Sequence, residues 1–342
     1  MLSSTINNLI QVLKPRQREI LSGRFGLDDG EKKTLASLGE QYGITRERTR
    51  QIEVEALEIV KDYFNKEKAI KKSLDLTTKH LKNLGGLRRD DLLLYELKSI
   101  LNDENLHHWH LRLVSEILGE LFYYSSDEHF HNLWYLEDNH FKSAVKFLSR
   151  LEKLVRDKKE EIFKKQKFNE FLSRAVQSHN IPEAVGANYI SVSKKFGVNP
   201  FGDMGLSHWE EINPRTIRGK AYLVLKKRQD PIHFRDIAEA INEAGFDERR
   251  AYPQTVHNEL IKDPRFVLVG RGIYGLVENG FAPGATHEII KMILKKEEPL
   301  SLRDIVSSVG KQRFLKDNTI LLNLQNKKYF KKLPDGRYSL VK

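Results

Sequence analysis

The sequence predicts a mainly α-helical protein in which several small domains follow one another, with β-structure confined to short hairpins. Three observations lead to this fold class. Apolar residues recur at helical spacing over most of the chain, and Gly-containing turns divide the helical stretches. The last third also contains an internal repeat, and each of its two copies ends in a pair of strand-like segments.

The composition limits the class of protein. A chain of 342 residues is long enough for two to four domains, each with its own core. No run approaches the roughly 18 apolar residues that span a membrane, and the first ten residues, MLSSTINNLI, lack the pattern of a secretory signal. The absence of cysteine excludes a disulfide framework, a thiol nucleophile and a cysteine zinc site. We therefore expect a cytoplasmic protein with no membrane association.

The net charge of +11 is unevenly distributed along the chain. Residues 213–342 hold 25 Lys and Arg against 15 Asp and Glu, whereas residues 1–212 hold 33 against 32. A basic surface favours an acidic partner such as nucleic acid. The alternative is a basic, solvated surface without a partner.

The first domain, residues 1–64, is predicted to be a helix-turn-helix. Pro15 starts a second helix at its first turn, and Thr34 is a suitable cap for the third. Gly43 supplies the left-handed residue that ends the third helix, and Thr45 caps the fourth. The fourth helix is predicted to bury a stripe formed by Ile52, Ala56, Ile59 and Val60.

The start of this fourth helix carries the side-chain types that read DNA bases. In the major groove guanine offers two acceptors, adenine an acceptor beside a donor, and cytosine an amine donor. Arg46, Glu47 and Gln51 are matching types, and they lie at the end of the helix that enters the groove in helix-turn-helix proteins. Arg48 and Arg50 flank them as candidates for phosphate contacts. The alternative is an exposed helix on which Arg and Glu alternate without reading DNA.

Residues 13–57 closely resemble region four of bacterial sigma factors of the primary type. The resemblance rests on the RFGL loop, the helix TLASLG and the run TRERTRQIEVEAL, which recur there in this order and spacing. It implies that Arg46, Glu47 and Gln51 face the bases of a promoter −35-like element in double-stranded DNA, with Arg50 at the edge. It also implies docking on the flap of the RNA polymerase beta subunit. Phosphate contacts are assigned to Arg16, Arg24, Thr45 and Arg48.

The segment departs from the pattern of that family in ways that affect its grip on DNA. Thr49 and Gln17 replace residues that are common in the family, and Glu55 and Glu58 stand where it generally has basic residues. Nine basic residues balance nine acidic ones over residues 1–60. We therefore expect weak phosphate contacts and a need for neighbouring contacts to DNA or polymerase. Because the segment begins the chain, we expect an accessory role rather than that of a stand-alone initiation factor.

The middle of the chain is predicted to be mainly helical and to comprise residues 65–150 and 151–212. The Lys-rich stretch 61–82 is predicted to be a helix or linker with a solvated charged face. Weaker copies of the C-terminal helix and hairpin, and hence two degenerate winged-helix modules, are expected at 113–136 and 188–209. Further helix is predicted at 92–120, and a long charged helix at 152–172.

The last third contains two copies of one module, at 213–280 and 281–342. Each copy is predicted to form a helix, a short Pro-containing turn, two helices and two strands joined by a tight Gly turn. This is the element order of a winged helix. The matching segments are 221–241 with 288–309, and 255–277 with 319–341.

The first copy resembles the HARE-HTH family of winged helices through PIHFRDI, residues 231–237. That family includes the N-terminal domain of the delta subunit of some bacterial RNA polymerases, and modules fused to restriction proteins. In the second copy LSLRDI replaces IHFRDI, so the resemblance is weaker. His233 is interpreted as a turn or packing residue.

Basic residues of the last module form a candidate phosphate track along its wing. A solvated wing, or binding to polymerase or to an acidic protein surface, is the alternative interpretation. The residues of this track are Lys311, Arg313, Lys316, Lys327, Lys328, Lys331, Lys332 and Arg337.

No pattern in the sequence indicates catalysis or a cofactor. The histidine clusters HHWH, 107–110, and HFH, 129–131, lack the spacing of metal ligands, and no Gly-rich phosphate loop or nucleophile motif occurs. We therefore predict no catalytic residue, no metal, no cofactor and no small-molecule substrate. The aromatic residues at strand spacing are predicted to form a hairpin core, with a stacking surface for single strands as the minor alternative: Phe122, Tyr123, Tyr124, Trp134 and Tyr135.

Together these patterns predict a helix-turn-helix, a helical middle and tandem winged helices with small β-hairpin wings. The leading hypothesis is a DNA-binding regulator or accessory transcription-initiation factor that associates with RNA polymerase in the bacterial cytoplasm, at the nucleoid. The alternatives are a delta-like polymerase adaptor that reads no sequence, and a DNA-targeting subunit of a restriction or defence system.

Overall fold

The computed structural model describes residues 1–27, 30–165 and 167–341, apart from the side chains of residues 164 and 165. Compactness divides the chain into two units, Met1–Phe196 and Gly197–Lys342. The architecture is mainly α-helical with small antiparallel sheets, which confirms the predicted fold class. No helix in the described part of the chain is long and apolar enough to cross a membrane.

The first unit opens with the predicted helix-turn-helix. Thr34 caps the third helix by accepting a hydrogen bond from the Ser37 N–H at 3.1 Å, and Gly43, with φ +66°, ends that helix. Thr45 caps the fourth helix by accepting from the Arg48 N–H at 3.1 Å. The helices are α1 (Leu2–Ile10), α2 (Pro15–Phe25), α3 (Leu35–Tyr42) and α4 (Arg46–Lys66).

The turn between α3 and α4 depends on close packing at Gly39. A Cβ atom at Gly39 would lie 2.7 Å from the Ile44 carbonyl oxygen and 3.2 Å from the Thr49 hydroxyl. Thr49 is fully buried, and its hydroxyl donates to the Thr45 carbonyl at 3.0 Å. Apolar packing of Ile20, Leu38 and Ile52 completes this small core. The first turn of α4 is thereby fixed against α3.

The Lys-rich stretch after α4 is helical and is no flexible linker. After a break at Glu67 the chain continues as α5 (Lys68–Asn83), whose apolar side packs into a core shared with α1 and α4. Phe64, Ile70 and Leu81 are fully buried in that core. The helix-turn-helix is therefore continuous in packing with the module that follows it, and the predicted boundary at residue 64 marks no gap in the core.

A winged-helix order of elements follows, with α5 as its first helix. The three-stranded sheet has the order β1-β3-β2, and Trp134 of β3 is fully buried beneath it. The segment 92–120, predicted as one helix, forms two helices because the chain turns at Asn102, whose φ is +50°. The elements are β1 (Leu87–Arg89), α6 (Asp90–Ile100), α7 (His108–Leu118), β2 (Phe122–Tyr124) and β3 (Leu133–Tyr135).

A second set of helices and a hairpin follows and includes 188–209, where the sequence predicts a weaker copy. The prediction of one long charged helix over 152–172 is wrong for the described residues, and Gln166 lies outside them. Val155, Ile162 and Phe168 are all buried, which one straight helix could not achieve because Phe168 would point away from the other two. The elements are α8 (Asp138–Val155), α9 (Lys159–Lys165), α10 (Phe168–His179), α11 (Glu183–Val192), β4 (Phe196–Val198) and β5 (Met204–Leu206).

Two winged helices in sequence form most of the second unit. In the first, the sheet order β6-β8-β7 places Ile232 opposite Tyr274; in the second, Leu300 pairs with Tyr338 in the same way. The predicted Gly turns occur at Gly272, φ +72°, and Gly336, φ +85°. The first copy comprises α12 (Ile217–Arg228), β6 (Ile232–His233), α13 (Phe234–Ala244), α14 (Pro253–Lys262), β7 (Phe266–Gly270) and β8 (Ile273–Leu276). The second comprises α15 (Thr286–Lys296), α16 (Leu302–Gly310), α17 (Asp317–Leu324), β9 (Phe330–Lys332) and β10 (Tyr338–Leu340).

Candidate nucleic-acid interface

The N-terminal turns of α4 present one polar face to solvent. Thr49 and Ile52 face the core, and the helical period of 3.6 residues places the predicted DNA contacts on the remaining sides. All the predicted contacts of this stretch are exposed: Thr45, Arg46, Glu47, Arg48, Arg50 and Gln51.

Side chains of this face pair with one another when no DNA is bound. The Arg50 guanidinium donates to both carboxylate oxygens of Glu47, with a shortest distance of 2.7 Å, and Arg48 donates to the Gln51 side-chain oxygen at 3.1 Å. The bond from Arg50 lowers the pKa of the Glu47 carboxyl, so Glu47 stays ionised as an acceptor. Arg46 has no ion-pair partner among the described residues. Glu47 and Gln51 would have to exchange partners to meet bases, whereas Arg46 would not.

The two arginines assigned to phosphates on α2 differ in their surroundings. Arg16 lies 4.0 Å above the Tyr42 ring and donates to the Tyr42 carbonyl oxygen at 3.2 Å, beside the end of α3. Arg24 donates to a Glu53 carboxylate oxygen and to the Lys33 carbonyl oxygen, both at 2.8 Å. Arg24 therefore ties α2 to α4 and to the preceding loop. The phosphate role of both residues stays a prediction.

In the last module, most of the predicted basic track is exposed. Lys331 and Lys332 lie on the wing strand β9, and Arg337 on the wing turn is paired with Asp335 at 2.6 Å. Lys332 lies 5.9 Å from the Tyr338 ring and Lys328 lies 5.5 Å from the Tyr329 ring. The exposed residues of the track are Lys311, Lys316, Lys327, Lys328, Lys331, Lys332 and Arg337.

Arg313 is the exception, and its prediction as a phosphate contact is wrong. Its exposed fraction is 4%, and its guanidinium donates to the carbonyl oxygens of Ala282 at 2.6 Å, Gly284 at 3.0 Å and Gln312 at 2.8 Å. Burial also lowers the pKa of Arg313. A guanidinium can satisfy several carbonyls at once because its donors form a fixed fork. Arg313 therefore holds the segment between the two winged helices and faces no solvent.

The residues on either side of Arg313 complete a clamp between the two modules. The Gln312 side chain accepts from the Ala282 N–H at 2.8 Å and donates to the Gly280 carbonyl oxygen at 3.0 Å. The Phe314 N–H donates to the Val269 carbonyl oxygen of β7 at 2.7 Å. We call Gln312, Arg313 and Phe314 the module clamp. It gives the two winged helices a fixed connection.

A candidate reading surface on α14 was missed by the sequence analysis. The helix begins at Pro253, so Gln254 and Asn258 lie one turn apart, exposed on the third helix of the first winged helix. Asn and Gln are the side chains that pair with adenine. Exposed Arg249 and Arg250 precede the helix. The signal was present in the sequence as two amides four residues apart, but the predicted helix start at Thr255 excluded the first of them.

The histidines and the aromatic hairpin have structural roles. The His233 ring nitrogen Nδ1 accepts from the Arg235 N–H at 3.3 Å and caps α13, in agreement with its interpretation as a turn residue. Tyr123 and Trp134 pack edge to face at 4.8 Å towards the core, while Phe122 remains exposed on the other side of the strand. Among the described residues, no group of three or more His, Asp or Glu side chains is arranged to hold a metal ion.

The fold and the exposed side chains define a helix-turn-helix followed by winged helices. Comparison with known families agrees: residues 9–62 match Sigma-70, region 4, and residues 215–278 match HARE-HTH, the HTH domain of ASXL and restriction endonuclease proteins. Both resemblances drawn from the sequence are thereby confirmed.

Relatives are found among sigma factors from several organisms. RNA polymerase sigma factor SigA of Microcystis aeruginosa is 47% identical over 57 residues, 17% of this chain and 14% of the relative. The chloroplastic sigma factor sigF of Arabidopsis thaliana is 43% identical over 60 residues, 18% of this chain and 11% of the relative. The principal sigma factor HrdD of Streptomyces coelicolor is 47% identical over 55 residues, 16% and 17% of the two chains. The match thus spans about one seventh of the length of these relatives.

Proposed function

We propose that this protein is a DNA-binding transcription factor that recognises a promoter −35-like element through α4 and associates with RNA polymerase. The observation that carries the proposal is the exposed N-terminal face of α4, which bears Arg46, Glu47, Arg50 and Gln51 within a segment similar to Sigma-70 region 4. Arg, Gln and Glu are the side chains that distinguish guanine, adenine and cytosine in the major groove. Bacterial cytoplasm, with the protein at the nucleoid, is the location that this role requires.

The environment of α4 supports insertion of this end of the helix. The Thr45 cap and the buried Thr49 fix the first turn, so the exposed side chains begin from a rigid base. The N-terminal end of a helix also carries partial positive charge, which favours approach to phosphates. Arg16, oriented by Tyr42, lies on the neighbouring helix and is the phosphate contact with the best support.

Selection of bound duplexes from a random pool tests base reading. The wild type should enrich one motif, and Arg46→Ala and Gln51→Ala should each relax one position of it at a loss of about 1 to 3 kcal/mol of discrimination. Arg150→Ala, which removes an exposed arginine of α8, is the matched control and should leave the motif unchanged. A wild type that enriches nothing contradicts base reading, and an unchanged motif in both α4 variants contradicts the residue assignment.

Association with polymerase requires a separate experiment. Capture of core RNA polymerase by the full chain, with and without residues 213–342, compares the two regions that resemble polymerase-associated families. Retained capture after deletion supports docking through the sigma-like domain on the beta flap. Capture lost with residues 213–342, together with no enriched motif, supports instead the delta-like adaptor.

A further inference from the structure

The α5 helix carries a lysine face whose position has no role in the helix-turn-helix itself. Ile70, Leu74, Thr77 and Leu81 form its buried side. Taking 3.6 residues per turn, the exposed lysines fall within an arc of about 100° on the opposite side and extend over about 21 Å of helix. We call these residues the α5 lysine face: Lys68, Lys71, Lys72, Lys79 and Lys82.

These lysines are uncompensated by neighbouring acids. None of the five has a carboxylate within ion-pair distance among the described residues, whereas Lys158, Lys167 and Lys195 elsewhere in the same unit are paired. Asp75 is the one acidic residue of α5 and lies on the same arc. The face therefore has a net charge of +4 in free solution.

The α5 lysine face is also rigidly connected to the candidate reading helix. Only Glu67 separates α4 from α5, and both helices bury side chains in the same core, among them Val60 and Phe64 of α4 and Ile70 of α5. The second half of α4 itself is acidic, with exposed Glu55 and Glu58. The positive charge that α4 lacks is thus supplied by the next helix of the same packed unit.

Resting on the function proposed above, we propose that the α5 lysine face binds the phosphate backbone of double-stranded DNA. Protein–protein interfaces are depleted in lysine and anchored by aromatic and apolar side chains, and this arc presents none. Phosphate binding needs charge without a shaped pocket, and duplex DNA offers about one charge per 3.4 Å of each strand, or about six along the length of the face. The chemistry of the face therefore fits a polyanionic backbone better than an acidic protein.

The test is the salt dependence of binding to a duplex that lacks any selected motif. The variant K68Q/K72Q/K79Q is compared with K142Q/K146Q/K153Q, which removes three exposed lysines of α8 and makes the same change in net charge. Because each lost phosphate contact lowers the slope of log K against log salt by about 0.9, the α5 variant should lose about 2 to 3 and the α8 control less than about 1. Restoring charge with K68R/K72R/K79R should restore the slope.

Equal changes in the two variants, or no change in either, would overturn the proposal. An unchanged slope together with lost capture of core RNA polymerase would also overturn it and assign the face to an acidic protein. Circular dichroism checks the fold, and single K72Q and K79Q variants, each expected to lower the slope by about 0.9, serve if the triple variant unfolds. Because the probe duplex has no motif, failure of base reading by α4 leaves this result unaffected.

Discussion

The helix-turn-helix and the tandem winged helices distribute two requirements of DNA binding in opposite ways. Residues 1–60 carry the side-chain types that read bases but balance nine basic residues with nine acidic ones, whereas residues 213–342 carry a net charge of +10. Base reading depends on a few hydrogen bonds, while affinity for the backbone depends on accumulated charge. The difference teaches that specificity and affinity have separate candidate surfaces in this chain.

The two regions also differ in how their modules are joined. The helix-turn-helix shares a hydrophobic core with the module after it, through α4 and α5. The two winged helices have separate cores and are joined by hydrogen bonds of the module clamp. Polar joints that are buried are costly to leave half-satisfied, so the clamp should be the more sensitive of the two.

The largest expected effect is on this clamp. Arg313→Ala removes the donors of buried carbonyls and should reduce the free energy that resists opening of residues 280–316 by about 3 to 5 kcal/mol. Hydrogen exchange over that segment in the full chain measures the loss. Lys311→Ala, an exposed neighbour, is the control and should change exchange little. Equal exchange in the two variants would mean that the clamp contributes nothing.

A pH effect should appear in the first unit and distinguishes it from the second. Burial and the neighbouring His107 lower the pKa of His110 from 6.5 to about 4, and its Nδ1 accepts from the His107 N–H at 3.0 Å. The unfolded chain therefore binds a proton more readily, and stability falls as pH decreases from about 6.5 to 4, by up to about 3 kcal/mol. Hydrogen exchange in α7, corrected for its intrinsic pH dependence, should show this loss and α14 should not.

His110→Gln is the matching variant for that prediction, because it retains an acceptor but does not titrate. Its α7 exchange should vary less with pH over the same window. A variant that loses protection as steeply as the wild type would assign the pH effect to other groups.

Acidic residues on α4 should limit its grip on phosphate. Glu55→Lys with Glu58→Lys should increase the dependence of binding on salt by up to about 2 in slope, because new lysines can contact phosphates and Arg48 loses its neighbour at 4.0 Å. The ratio of affinities for selected and scrambled duplexes should not change. Glu104→Lys with Glu120→Lys is the control of equal charge, and an equal increase there would remove the special role of α4.

The smallest effect is expected on the wing of the last module. Lys331→Gln with Lys332→Gln should lower the salt slope by up to about 2 if both residues contact phosphates. Lys158→Gln with Lys167→Gln, which removes two ion-paired lysines, should change it less. A wing variant indistinguishable from that control would leave the wing as a solvated surface.

Local signals in the sequence predicted local structure well. Thr34, Gly43 and Thr45 act as the predicted caps and turn, and both Gly turns of the C-terminal hairpins form where expected. These features depend on neighbouring residues alone, so periodicity and capping rules suffice. Two family resemblances added the order of the domains.

Features set by distant residues were not predicted. Arg313 resembles any other basic residue in the sequence, and its burial follows from carbonyls about 30 positions away. The charged run 152–172 looked like one helix because its buried residues turn towards a core contributed by other segments. The pairing of Glu47 with Arg50 was likewise visible only once the side chains had positions.

The central claim is that α4 supplies specificity while charge elsewhere supplies affinity. The most direct test measures the affinities of the full chain for a selected and a scrambled duplex, in the wild type, in Arg46→Ala with Gln51→Ala, and in Lys331→Gln with Lys332→Gln. The account predicts that the ratio of the two affinities collapses in the α4 variant, while the lysine variant weakens both equally. A ratio that survives in the α4 variant, or collapses in the lysine variant, would contradict it.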